Sequence, residues 1–249
     1  MIPKVIHYCW FGKNPLPDEY LKYIDTWRKF CPDYKIIQWD ESNYDVNKIN
    51  FIKQAYDNKK YAFVSDYARL DIINKYGGVY FDTDIEVVKS FNDLLDNKAF
   101  GGLERVVNNY YLAFGLGFGS EKNNLFIQEI MHYYENKNFI KKDGSFDCTP
   151  IPEIVSSVLK DKYSVDVIKN EIIKLDNITI YPTEYFGCKD MINNKIKMTK
   201  NTYSIHHYSG TWKDKNSYIF LKLQNIFGKR IGEYIFVILN KIKRIIKLW

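Results

Sequence analysis

Asp82 and Asp84 stand two residues apart in Phe81-Asp82-Thr83-Asp84-Ile85-Glu86. On an extended backbone, residues i and i+2 project to the same side with Cα atoms about 7 Å apart, so one cation can bridge both carboxylates. Mg²⁺ or Mn²⁺ held by such hard oxygen ligands is a Lewis acid suited to the negative charge that builds on a departing diphosphate. Most isolated Asp-x-Asp tripeptides are solvated turns. This one gains weight from the apolar run Val79-Tyr80-Phe81 before it and the Gly77-Gly78 pair before that. Asp66 and Arg69, three residues apart, share a helix face and can pair with each other or with a ligand. In the segment from His206 to Trp212, two imidazoles, hydroxyls and an indole surround Gly210, and a histidine there can add a nitrogen ligand to a two-carboxylate cation site. Trp10 ends the first apolar run and offers a flat face for a nucleobase. His7, on the opposite register, is either a core histidine or a second contact to the bound molecule.

These residues need an α/β scaffold to meet. Residues 2–10 are a buried strand broken by Phe11-Gly12, Pro15 and Pro17; helical spacing follows to Phe30, Pro32 stops it, and 35–39 is a second short strand. A helix is expected from Ser65 as N-cap, with Asp66 in its first turn and Leu70, Ile72, Ile73 and Tyr76 on its apolar face. Gly77-Gly78 ends it and strand 79–81 runs into Asp82, so the carboxylates fall at a strand's C-terminal end, where open α/β sheets bind ligands. Residues 113–119 alternate glycine with apolar residues, as in a strand closely approached by a ligand or another backbone. Residues 124–134 and 151–159 suggest helices, the second with Pro152 in its first turn, and 178–181 a strand.

A chain of 249 residues can bury a full core in one domain. The four cysteines form no CxxC pair, which gives no sign of a zinc ribbon or a disulfide framework and suits a reducing cytoplasm. The net charge of +6 is uneven: residues 213–249 hold nine basic and two acidic side chains, a balance of +7, leaving −1 on the other 212. A molecule-wide nucleic-acid surface is therefore not expected. Apolar positions 238, 239, 242, 245, 246 and 249 lie on one helix face, so a basic amphipathic helix is expected at the C-terminus, over 219–249. It suits peripheral attachment to an anionic membrane, with packing on the domain or on a second copy of the chain, as a homo-oligomer, the competing role.

Four segments, IPKVIHYCWFG, SDYARLDIINKYGGVYFDTDIE, YPTEYF and HHYSGTW, together resemble glycosyltransferase family 32, the bacterial capsular and fungal mannosyl-transferring group, and more distantly the glucosylating domains of clostridial toxins. The resemblance implies a GT-A fold: a single Rossmann-like nucleotide-sugar-binding domain with a central mixed sheet over residues 1–218. It also implies a nucleotide-diphosphate sugar donor, UDP-sugar favoured, with Mn²⁺ or Mg²⁺ and retention at the anomeric carbon. By position, Trp10 matches the base-stacking residue, Asp66 and Arg69 the donor-contacting helix pair, and Asp82 and Asp84 the metal-site carboxylates. His207 matches a third metal ligand, through its spacing to Gly210, with His206 as competitor, and Trp212 the aromatic that closes over the donor phosphate. Ser209 and Thr211 are offset from the family's serine, and Glu104 is the acceptor-side candidate. The expected setting is bacterial surface polysaccharide synthesis at the inner face of the cell membrane, with a glycan or lipid-linked oligosaccharide as acceptor. Two other classes use the same residues. A haloacid-dehalogenase-type phosphatase would make Asp82 its nucleophile, although Glu86 stands where that motif wants Thr or Val, and a carbohydrate-binding module would need the cation but no nucleotide.

Overall fold

The computed structural model describes residues 1–209 apart from 108, 168 and 191–192, together with positions 223, 228, 235 and 238. Apart from those four positions, the expected C-terminal helix lies outside the described residues, as do Gly210, Thr211 and Trp212 and the boundary expected at 218.

The chain opens with β1 (Val5–Cys9), α1 (Asp18–Phe30) and β2 (Lys35–Trp39). Strand β1 is buried almost throughout, as an interior parallel strand must be when both faces are covered. Helix α1 carries Asp18 and Glu19 in its first turn and Arg28 and Lys29 in its last, complementing the helix dipole at both ends. Then come α2 (Asn50–Asp57), α3 (Tyr61–Tyr76), β3 (Gly78–Tyr80) and β4 (Ile85–Val87). Helix α3 begins four residues before the expected Ser65, which lies inside it; Lys60 at the N-cap makes no side-chain capping bond, so the sequence holds no cap signal at the true start. Its residues from Tyr67 to Ile73 are all buried, including Arg69 and Asp71, whereas Tyr76 is exposed. Gly77 and Gly78 have φ of 65° and 114°, and a Cβ on Gly78 would sit 2.6 Å from the Val5 carbonyl, so the turn into β3 demands glycine.

Next are β5 (Ala99–Val106), β6 (Asn109–Ala113), β7 (Phe118–Ser120), α4 (Leu125–Glu135) and α5 (Ile151–Tyr163). The single strand expected over 113–119 is instead the end of β6, a 3₁₀ turn at Phe114–Leu116 and β7. The chain continues through β8 (Ile173–Lys174), β9 (Thr179–Tyr181), the short helix α6 (Thr183–Phe186) and β10 (Ser204–His206).

The central sheet is mixed, in the order β2-β1-β3-β7-β5-β9-β8, with β6 paired to β5. Strands β2, β1 and β3 are parallel, β7 is antiparallel to both β3 and β5, and β9 is parallel to β5. Two apolar clusters hold the layers. One joins Ile24 and Trp27 of α1 to Phe81, Phe91, Phe100 and Phe186. The other joins α3, α4 and α5 through Val64, Ile73, Phe126 and Val155. This is the expected α/β architecture with a central mixed sheet. A separate antiparallel ribbon pairs β10 with β4 just past Asp84.

Candidate metal and nucleotide site

The parallel strands β1, β2 and β3 all end at the same edge, which places Trp10, Asp40 and Asp82 on one rim. Beyond β3 the chain turns, with the Ile85 amide donating to the Asp82 carbonyl at 3.2 Å. Asp82 and Asp84 are thus gathered by a turn and not by strand alternation. The turn is anchored from below: the buried Trp27 indole donates to the Ile85 carbonyl at 2.6 Å, and the Val87 amide donates to the Thr26 hydroxyl at 2.9 Å.

Arg69 reaches Asp82 from α3. Its Nη2 lies 2.9 Å from Asp66 Oδ1 and 3.2 Å from Asp82 Oδ1, its Nη1 is 3.4 Å from Asp82 Oδ2, and its guanidinium lies over the Tyr80 ring at 4.8 Å. Burial alone would weaken this cation, but the charges of Asp82, Tyr80 and Asp66 hold its proton more firmly than usual. The carboxylates feel the same burial. Asp66 is pushed up to about 6 by desolvation despite Arg69, and Asp82 is raised by desolvation and the nearby Asp84 charge against the pull of Arg69.

The register of β10 on β4 sets His206 opposite Ile85, one residue from Asp84. His206 Nε2 lies 3.1 Å from Asp84 Oδ1, and the Ser209 amide donates to Asp84 Oδ2 at 2.7 Å. Burial would raise Asp84, yet the His206 imidazolium and these two hydrogen bonds hold it well below the usual carboxylate range. His206 is raised, because Asp84 outweighs the desolvation that would lower it. Asp82, Asp84 and His206 each bring one ligand atom within 4.8 Å of the others. His206 Nδ1 is buried with no hydrogen-bond partner. Two carboxylates and an imidazole with an orphaned nitrogen, next to acids whose charge is under-compensated, form a donor set that fits a divalent cation.

His207 lies elsewhere. Strand pleating sends it to the opposite side, where its ring stacks on Tyr23 at 4.5 Å and its Nε2 donates to Glu86 Oε2 at 2.8 Å. The imidazole that the fold brings to the carboxylates is therefore that of His206. His7 is also not at the site. It is buried, Nδ1 accepts from the Trp39 indole at 3.0 Å, and Nε2 donates to the Gly77 carbonyl at 3.0 Å, which leaves no nitrogen for a ligand. Trp10 does reach the rim. Edge-on to Tyr20, it lines a cleft of about 480 Å³ with Lys13, Asn14, Asp40, Glu41 and Ser42. Glu104 is buried on β5, with its charge acting on His206 and Tyr208.

Two contributors escaped sequence reasoning. Glu41 accepts from the Gly12 amide at 2.7 Å and the Tyr56 hydroxyl at 2.8 Å, fixing the loop that follows Trp10. Gly115 lies against Asp82, and a Cβ there would meet Asp82 Oδ2 at 2.2 Å. The glycine alternation around 115 carried that signal without naming its partner.

Residues 17–101, which include the Asp82-Thr83-Asp84 turn and the Asp66–Arg69 pair, match the model of the glycosyltransferase sugar-binding region containing a DXD motif. Residues 17–101 are thus similar to a DXD glycosyltransferase region. The chain is 25% identical over 203 residues to an uncharacterized glycosyltransferase of Acanthamoeba polyphaga mimivirus, covering 76% of this chain and 77% of the viral one. It is 33% identical over 104 residues to a mannosyl phosphorylinositol ceramide synthase of Saccharomyces cerevisiae, a match over 40% of this chain that spans 27% of the yeast enzyme's length. Among solved structures, the PaToxG glycosyltransferase aligns with a TM-score of 0.49 and 22% identity over 66% of this chain and 70% of that one.

Proposed function

We propose that this chain moves a hexose from a nucleoside diphosphate sugar, with uridine the favoured base, to a hydroxyl of a glycan or lipid-linked saccharide, with retention at the anomeric carbon. The observation that carries this reading is the convergence of Asp82, Asp84 and His206 within 4.8 Å beside a buried, carboxylate-paired arginine. These three residues would hold Mn²⁺ or Mg²⁺, which when bound supplies Lewis-acid stabilisation of the diphosphate leaving group.

Arg69, kept charged by Asp66 and Asp82, adds fixed positive charge where the leaving group would develop negative charge, and burial makes that charge count for more than it would in water. Asp66 holds the guanidinium in place. Trp10 offers its ring to the base in the cleft beyond β1 and β2. Trp212, assigned by resemblance alone, would close over the phosphates. The acceptor hydroxyl attacks the face the nucleotide leaves, and its proton passes to the leaving phosphate, so no dedicated base is needed. Glu104 is the acceptor-side candidate. The yeast relative's name, which specifies a mannosylated ceramide lipid, supports a lipid-linked acceptor and keeps mannose among the hexoses. The basic C-terminal stretch would rest on an anionic membrane at the cytoplasmic face, the setting of bacterial surface polysaccharide synthesis. Among the described residues, no helix is long and apolar enough to cross a membrane.

Thermal-shift titration with UDP, GDP and CMP, with and without Mn²⁺, tests the reading. The expected result is a metal-dependent rise with one nucleotide that Asp84→Ala abolishes. A folded, metal-supplied sample that answers to none of the three would refute it, and release of phosphate from a generic ester, lost in Asp82→Asn, would replace it with the phosphatase.

A further inference from the structure

We propose that Lys195, Ile196, Lys197, Met198 and Lys200 form a docking strip for an anionic lipid bilayer on the flank of the fold that carries His206 and His207. Every residue from 193 to 200 is exposed, and among them Ile196 is 45% and Met198 54% accessible. Two large apolar side chains this close together and this open to water form a small apolar patch whose burial against a partner would be favourable. Ile196 and Met198 alternate in sequence with Lys195 and Lys197, and long lysine stems can bend round to the rim of a shared contact.

Charge identifies the occupant. No aspartate or glutamate occurs between 191 and 201, and against Asp190, whose amide donates to the Lys195 carbonyl at 2.8 Å, the three lysines remain in excess along the strip. Among the described residues, another surface segment with paired exposed apolar residues, Ile140 and Phe146, balances Lys141 and Lys142 with Asp143 and Asp147, and offers no such field. Apolar side chains rimmed by lysine fit the acyl boundary and negative headgroups of an anionic leaflet.

The strip is tied to the site. Its backbone is fixed where the Lys197 amide donates to the Cys188 carbonyl at 2.9 Å and Ile196 bridges Lys189. Lys189 Nζ donates to the His207 carbonyl at 2.9 Å, and the His207 amide donates to the Asp84 carbonyl at 3.0 Å. A bilayer held here lies beside the metal site, where a lipid-linked acceptor would arrive. The inference goes beyond the transferase reading and is independent of the basic stretch after 213, because the strip is a separate segment.

The test is co-sedimentation of the full chain with phosphatidylcholine vesicles, pure or mixed with phosphatidylglycerol. The wild type is expected to bind the mixed vesicles and not the neutral ones. Lys195→Glu/Lys197→Glu/Lys200→Glu should weaken that binding roughly a hundredfold, and Ile196→Ser/Met198→Ser roughly tenfold. The altered side chains are exposed, so both variants should keep the wild-type melting temperature and the metal-dependent nucleotide shift, which separates loss of docking from failure of the transferase reading. Absence of wild-type binding to mixed vesicles, or wild-type binding by either variant, overturns the proposal.

Discussion

Replacing Gly115 with alanine perturbs the site without replacing any of its proposed ligand residues. The new Cβ would lie 2.2 Å from Asp82 Oδ2 and 3.3 Å from Arg69 Nη1. Ordinary contact begins near 3.4 Å, so the Asp82 carboxylate must retreat by about 1.2 Å. That movement breaks its contacts with Arg69 at 3.2 and 3.4 Å and takes one carboxylate out of the 4.8 Å cluster. Disturbing a group that orients a metal ligand typically costs 10- to 100-fold in affinity, or about 1.4–2.7 kcal/mol. The fold should notice less. Gly115 does not have a positive φ, so alanine's lower unfolded-state entropy, worth about 0.4–1 kcal/mol, offsets part of the crowding. Isothermal titration with Mn²⁺ and the responding nucleotide should therefore show a 10- to 100-fold weaker complex, with a urea midpoint close to that of the wild type. A Gly115→Ala chain that binds metal and nucleotide as tightly as the wild type would refute the geometry assigned to Asp82.

The two histidines give a ranking: His206→Ala should weaken Mn²⁺ binding about 10- to 100-fold and His207→Ala less than about threefold, as read by metal titration of the nucleotide-induced shift, and the reverse order would sink the assignment. His7 gives a pH dependence. Burial lowers its pKa from 6.5 to about 4, so the unfolded chain takes up the proton first; the stability it contributes is complete above pH 6.5 and declines as pH falls toward 4, by about 3 kcal/mol at 1.36 kcal/mol per unit. Urea unfolding across that range should show a flatter acid limb for His7→Gln, and an unchanged slope would mean the imidazole protonates in its core position as readily as in the unfolded chain.

Much of the scaffold was written locally. The strand at 35–39 appears where the sequence places it, Asn124 caps α4 by accepting from the Phe126 amide at 3.0 Å, and Pro152 sits in the first turn of α5. What the sequence hides is set by partners far along the chain. Helix α3 is buried around most of its circumference, so no polar stripe marks its start; its Asp66–Arg69 pair makes sense only once Asp82 arrives against it, and its Asp71 only once Lys48 does. The choice between His206 and His207 is a question of strand parity, settled when β10 registers on β4 across a separation of more than a hundred residues. Asp82 and Asp84 could be singled out because their spacing is local; the turn that gathers them, and the glycine that makes room for them, could not.

The β4–β10 ribbon divides the ownership of the site. Residues 17–101, the region that matches the DXD glycosyltransferase model, hold both aspartates and the arginine, yet the imidazole is delivered by a three-residue strand near the far end of the described chain. A fragment ending near residue 101 would keep the recognisable motif and lose the closure. Fraying of that short ribbon alone would open the cluster while leaving the main sheet intact, so occupancy of the site becomes a gauge of whether the chain has finished folding, and any ligand bridging Asp84 and His206 acts as a clasp between two distant stretches of sequence.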